Sequence, residues 1–138
     1  MHYTIHTDGG ARGNPGPAGV GVVIECQGKK IQLKKYIGEK TNNQAEYEAL
    51  VFALEHILND LQADGAITTV FCFLDSELVV RQLNGEYKVK NEGIRPLYNQ
   101  VKSLSKSFHE INFRHIPREQ NSQADKLVNQ AIDDYFNR

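Results

Sequence analysis

Three runs of alternating apolar and polar residues open the chain. In the first, Tyr3, Ile5 and Thr7 share one face of a strand and Thr4, His6 and Asp8 the other, because successive strand side chains alternate. Gly19–Cys26 sets Val20, Val22, Ile24 and Cys26 against Gly21, Val23 and Glu25, which predicts a second strand with one strongly buried face. Ile31–Ile37 is a third, more charged run, and Lys34 and Lys35 place it at a sheet edge, where lysine discourages unwanted pairing. The period then changes to that of a helix. Ala49, Leu50, Ala53, Leu54, Ile57, Leu58 and Leu61 form one stripe, with Asn42 or Asn43 as its cap and Asp64-Gly65 as its end. Thr68–Leu74 is almost wholly apolar and β-prone, as a central strand covered on both faces would be.

The remainder reads as two helices, a strand and a last helix. Ser76–Leu83 is a short helix ended by Asn84-Gly85, and Glu86–Gly93 is a polar connection. Pro96 suits the first turn of a helix whose stripe is Leu97, Val101, Leu104 and Phe108. Ile111 and Phe113 alternate with Asn112 and Arg114 as a fifth strand, and His115–Gln123 is a loop. The last helix turns Ala124, Leu127, Val128, Ala131, Ile132 and Tyr135 inward. Between the first two strands, Gly9, Gly10 and Gly13 and then Asn14-Pro15-Gly16-Pro17 predict a turn whose bare backbone suits close approach of a ligand. A strand, a long helix and a strand imply a right-handed crossover and a parallel pairing; if the first and fourth strands lie side by side, their carboxyl ends fall together.

Composition narrows the class. The chain has 138 residues, 40% of them hydrophobic, enough for one domain over residues 1–138 with its own core. Net charge is −1, so any affinity for a polyanion has to come from local patches. Cys26 and Cys72 lie in apolar runs and read as free thiols in a reducing compartment. No run is long and apolar enough for a membrane span, so a soluble cytoplasmic protein is expected.

The candidate chemistry lies in four acids. Asp8 and Asp75 end strands that the crossover makes parallel, and the carboxyl ends of such strands are where open α/β sheets place their sites. Glu46 falls on the core-facing stripe of the long helix, a costly place for an unpaired carboxylate. Asp125 sits in the first turn of the last helix. Each has an ordinary alternative: Asp8 as a hairpin-loop surface residue, Glu46 and Asp125 as acids favoured by the helix dipole. Together all four can reach one end of the sheet, and clustered carboxylates repel unless a strong positive charge joins them. Hard oxygen ligands select Mg²⁺, with Mn²⁺ as substitute. No Cys/His spacing suits zinc, and no GK[ST] phosphate loop is present.

The stretches TDGGARGNPGPAGVGVVI, TNNQAEYEAL, FLDSELVVRQLNG and HIPREQNSQADKLVNQA, in that order, resemble the type 1 ribonuclease H family across nearly the whole chain. The resemblance implies an α/β fold: a five-stranded mixed sheet, three antiparallel strands then two parallel, flanked by helices on both faces. It implies hydrolysis of the RNA strand of RNA–DNA hybrids to 5′-phosphate and 3′-hydroxyl ends. Two Mg²⁺ ions would be held by Asp8, Glu46, Asp75 and Asp125, with Asp8 bridging. It makes Asn14 and Asn42 candidates for RNA 2′-hydroxyls, and Thr41 and Asn43 candidates for the DNA strand's backbone. Gln44 lies in the same turns.

The sequence departs from the family in three places. The basic, tryptophan-containing protrusion of well-known bacterial members is replaced by NGEYKVKNEGI, where Lys88 and Lys90 take over part of hybrid binding. His115 stands ten residues before Asp125, the spacing of the family's mobile histidine, but HIPRE reads as a strand running into a loop. In the short, protrusion-free subgroup Arg118 takes that role, and both residues stay open. Glu77 stands where many members have Gln. Duplex RNA is a second candidate substrate and a monomer is expected. A hybrid- or duplex-binding module without turnover, and a related-fold nuclease such as a junction resolvase, are the alternatives.

Overall fold

The computed structural model describes residues 1–60 and 64–137. Five strands form one sheet: β1 (His2–Ala11), β2 (Gly16–Cys26), β3 (Lys29–Lys40), β4 (Thr69–Leu74) and β5 (Glu110–His115). Their order across the sheet is β3-β2-β1-β4-β5, so β3 is an edge as its lysines predict. β1–β2 and β2–β3 are antiparallel. β1–β4 and β4–β5 are parallel. This is the three-antiparallel, two-parallel sheet expected from the sequence.

Helices α1 (Asn42–Leu58), α2 (Glu77–Leu83), α3 (Arg95–Ser105) and α4 (Ser122–Phe136) complete the fold, with short 3₁₀ turns at Gly65–Ile67 and Arg118–Asn121. The main core lies between the sheet and α1. Ile5, Val22, Ile24, Val70, Cys72 and Leu74 from the strands meet Leu50, Leu54 and Ile57 from α1, and Val79, Leu83 and Val101 of α2 and α3 join the same cluster. α4 packs on β2, β3 and β1 from the other side. Asp8 and Gly21 are paired across β1 and β2 and so share that second face, whereas Gly9 faces α1. Helices therefore cover both faces. Among the described residues no helix is long and apolar enough to cross a membrane.

Several expectations need correction. β1 does not stop at Asp8: it pairs with β4 only as far as Thr7, then continues against β2 to Ala11. The turn shrinks accordingly to four residues, 12–15, with Gly9, Gly10, Gly16 and Pro17 inside strands. The bare backbone at Gly9 serves a helix, because a Cβ there would stand 2.1 Å from the Ala45 carbonyl carbon and oxygen. β2 is buried on both faces, since Gly21 lets the α4 backbone sit directly on it; a Cβ at Gly21 would lie 2.2 Å from the Ala124 carbonyl oxygen. β4 buries Val70, Cys72 and Leu74, while Phe71 and Phe73 on its other face are only half-covered and stack on His2 and His6.

The helix ends also differ in detail. Thr41, not Asn42 or Asn43, caps α1: its hydroxyl accepts from Gln44 N at 3.1 Å and its own N–H donates to Gln44 Oε1 at 2.9 Å, a capping box. α1 ends at Leu58 with Asn59 as C-cap, so Asp64 instead caps the 3₁₀ turn at Gly65–Ile67. Leu61 lies outside the described residues. Phe108 is buried just beyond the end of α3. Tyr135 is exposed rather than inward: in the last turn of α4, its ring stacks on Tyr36 of β3 at 3.8 Å.

Candidate active site

Asp8, Glu46 and Asp75 come together at one end of the parallel pair. One carboxylate oxygen from each lies within 4.8 Å of the other two. The local reasons are separate. Asp8 is carried one residue beyond the last parallel pairing of β1 with β4, so its side chain clears the sheet edge. Asp75 follows directly on β4, and Ser76 turns the chain into α2 by accepting from Val79 N. Glu46 sits in the first turn and a half of α1, which Gly9 allows close to β1, and Gly9 N donates to Glu46 Oε1 at 3.4 Å.

Both Asp8 and Glu46 are only 6% exposed. Burial, then the charges of Asp75 and Asp125, push Asp8 up to about 7 against the lowering effect of its hydrogen bond with Glu46. Burial and the neighbouring Asp8 hold Glu46 well above the usual carboxylate range. Glu46 Oε2 is buried with no hydrogen-bond partner among the described residues. A buried polar atom without a partner calls for an explanation, and a divalent cation supplies one. The donor set is all carboxylate oxygen, which suits a hard ion.

Asp125 lines the same cleft from the first turn of α4, half-buried, and Arg118 stands beside it at 3.8 Å. The cleft holds about 430 Å³ and also takes in Arg12, Asn42 and Asn129. His115 does not line it. That residue is exposed at the end of β5, paired in register with Leu74, whereas Arg118 lines the cleft beside Asp125.

The polar residues around the turn hold one another. Asn42 N donates to Asn14 Oδ1 at 2.9 Å, and Ala11 N donates to Asn42 Oδ1 at 2.8 Å. The oxygens of both amides thus tie the β1–β2 turn to α1, and Asn42 also lines the cleft. Thr41 and Gln44 are engaged in the capping box, and Asn43 is exposed beside them. Lys88 and Lys90 are not brought to the carboxylates. They are exposed on the 84–94 connection, where Lys90 borders a separate open groove with Arg95 and Asn99.

Asn121 went unnoticed in the sequence. It is 1% exposed, and its Nδ2 donates to the Thr7 carbonyl at 2.9 Å and to Asp75 Oδ2 at 3.2 Å. It thereby joins β1, the end of β4 and the start of α4. The available signal was slight: an Asn one helical turn before Asp125. Asn121→Ala strands the Asp75 oxygen and the carbonyl, so a loss of about 1–3 kcal/mol in stability is expected. Thermal melts check it.

An antiparallel meander running into parallel strands, with acids at the carboxyl ends of the central pair, defines a ribonuclease H-like fold. A family model described as "Reverse transcriptase-like" matches residues 6–131. A bifunctional protein of Mycobacterium tuberculosis is 40% identical over 136 residues, 96% of this chain and 36% of that one. Ribonuclease HI of Halobacterium salinarum is 39% identical over 129 residues, 92% of this chain and 62% of that one. The chain thus spans about a third to three-fifths of the length of these relatives. Among solved structures, LC11-RNase H1 in complex with an RNA/DNA hybrid is 46% identical, covers 97% of this chain and 99% of its own, and superposes with a TM-score of 0.87. The chain belongs to the type 1 ribonuclease H family.

Proposed function

We propose that this chain is a divalent-metal-dependent endonuclease that hydrolyses the RNA strand of RNA–DNA hybrids, leaving 5′-phosphate and 3′-hydroxyl ends. The observation that carries this reading is the convergence of Asp8, Glu46 and Asp75 within 4.8 Å, with an orphaned buried oxygen among them. The likeness to a protein solved on a hybrid supports the choice of substrate. Asp8, Glu46, Asp75 and Asp125 would hold two Mg²⁺ ions, with Mn²⁺ as substitute. When bound, such ions neutralise the scissile phosphate and acidify a water at neutral pH.

The chain's own groups do the rest. Asp8 and Glu46, placed side by side in a poorly solvated cleft, would hold a cation between two carboxylates kept in one orientation. Asn121 and the Asp75 backbone turn keep Asp75 aimed at the same point. Arg118 faces Asp125 from the solvent side and meets the anionic product as it leaves. Asn14 and Asn42 present amide NH₂ groups to the RNA 2′-hydroxyls, the group that separates RNA from DNA. Thr41 and Asn43 meet the DNA strand at the start of α1, and Lys88 and Lys90 add a more distant contact to the hybrid. Residues 1–138 act in this reading as one catalytic unit.

The test is a substrate panel of labelled hybrid, duplex RNA, single-stranded RNA and duplex DNA, each with Mg²⁺ or Mn²⁺. Cleavage confined to the RNA strand of the hybrid, lost with EDTA, is expected. Tight hybrid binding with no cleavage in either metal overturns the reading in favour of a binding module.

A further inference from the structure

Arg12 stands in the turn between β1 and β2 and reaches across the cleft to α4. Its guanidinium pairs with Asp133 Oδ1 at 2.8 Å and donates through Nη2 to the carbonyl and Oδ1 of Asn129, each at 3.4 Å. Asn129 donates in turn to the Asp125 carbonyl at 3.1 Å. Asp125, Asn129 and Asp133 recur every four residues and so lie along one stripe of α4, about 12 Å from end to end. Arg118 meets the stripe at Asp125, and Arg12 meets it at the other end. Both arginines line the cleft that holds the carboxylates.

An exposed ion pair adds little stability, so bracing alone is a poor use of a side chain placed here. The Arg12 side chain remains 46% exposed after these contacts, and a guanidinium carries five donors in a fork that matches phosphate. A cleft of four carboxylates also repels a polyanion along its whole length, not only where a metal binds. Strand phosphates recur about every 3.4 Å of helix axis, so a 12 Å stripe spans about three nucleotide steps.

We propose that Arg12 binds a backbone phosphate of the RNA strand a few nucleotides from the scissile one, on the side away from Arg118. This rests on the hybrid-cleavage reading above. Asp133 holds the guanidinium in the free protein and competes with the phosphate for it. Arg12 thus sets how the strand lies across α4 and takes no part in bond breaking.

The experiment compares wild type, Arg12→Gln, Arg12→Lys and Asp133→Asn on a labelled hybrid over about 50–200 mM salt. Arg12→Gln is expected to raise KM about fivefold with kcat within twofold, and to make the salt dependence of kcat/KM shallower by about one unit. Arg12→Lys keeps that slope and recovers part of KM, because it keeps the charge but not the fork. Asp133→Asn cuts the same ion pair while leaving the guanidinium, and its KM stays at or below that of wild type. Equal KM rises in Arg12→Gln and Asp133→Asn make Arg12 only a brace and overturn the proposal. Unchanged KM and slope in Arg12→Gln, or a fall confined to kcat, overturn it too. Hybrid binding by fluorescence anisotropy in EDTA repeats the comparison without turnover. Absence of cleavage by wild type therefore counts against the proposed activity, while the ratios of Kd still decide the role of Arg12.

Discussion

Asp8→Asn should abolish hybrid cleavage and, in the absence of metal, make the protein more stable. The first effect is large because Asp8 lies between Glu46, Asp75 and Asp125 and no other group can take its place. A fall of about 10³-fold or more in kcat is expected. The second effect follows from charge. Burial and two neighbouring acids push Asp8 from 3.8 up to about 7. A group raised in this way contributes stability below its unfolded pKa, and that contribution is lost as pH rises through the folded value. Metal-free wild type should therefore melt progressively lower between about pH 4 and pH 8, whereas Asp8→Asn should vary less over that range. At pH 8 the variant should be more stable by about 2–4 kcal/mol, or about 5–10 °C in Tm. Excess Mg²⁺ should narrow the gap, since a cation held by the folded acids stabilises wild type by linkage. Calorimetry with EDTA and with Mg²⁺, beside a hybrid assay, checks each part. A variant that still turns over at a few per cent of wild type contradicts the role given to Asp8.

The same physics explains what the sequence revealed of the site. A carboxylate at Glu46, on an apolar helical stripe, conflicts with its surroundings, and that conflict is visible in one dimension. Asp8 and Asp75 were legible because each follows a β-prone run and a crossover helix separates them. Chirality gave the parallel pairing across the long helix, and the five-stranded mixed sheet came from the family resemblance. Thr41 was harder to see. Three capping residues stand in a row at Thr41–Asn43, and only the reach of Gln44 back to the Thr41 backbone selects the first. Asn121 had only a slight local signature, since its acceptors on Thr7 and Asp75 are 114 and 46 residues away.

Glycine hid most. Alternation in β2 predicted one buried face because Gly19 and Gly21 add no apolar side chain to the other. In the fold that face is covered too, by the backbone of α4 itself. Lys88 and Lys90 mark a different limit: charge in a connection suggests a nucleic-acid contact, but composition does not say where a loop leads, and Lys90 borders a groove with Arg95 and Asn99 of α3, apart from the carboxylates.

Gly9→Ala puts the hidden glycine contact to its strongest test. The added methyl would stand 2.1 Å from the carbonyl carbon and oxygen of Ala45 and 2.5 Å from Glu46 N. All three atoms belong to the first turns of α1 and cannot rotate away, so the helix has to move as a body. Ordinary contact needs more than an ångström of retreat. That retreat strains the capping box at Thr41 and carries Glu46 away from Asp8 and Asp75. A loss of about 2–4 kcal/mol in stability is expected, together with about 10²-fold in kcat, because ligands displaced by an ångström no longer converge. Gly10→Ala is the matched control for stability. Its methyl would meet only Val128 Cγ1 at 3.6 Å, an ordinary contact, and Tm should change by no more than about 2 °C. Equal melting temperatures for the two variants would mean that α1 can slide along β1 without cost. The position of Glu46 would then depend on something other than the bare backbone at Gly9.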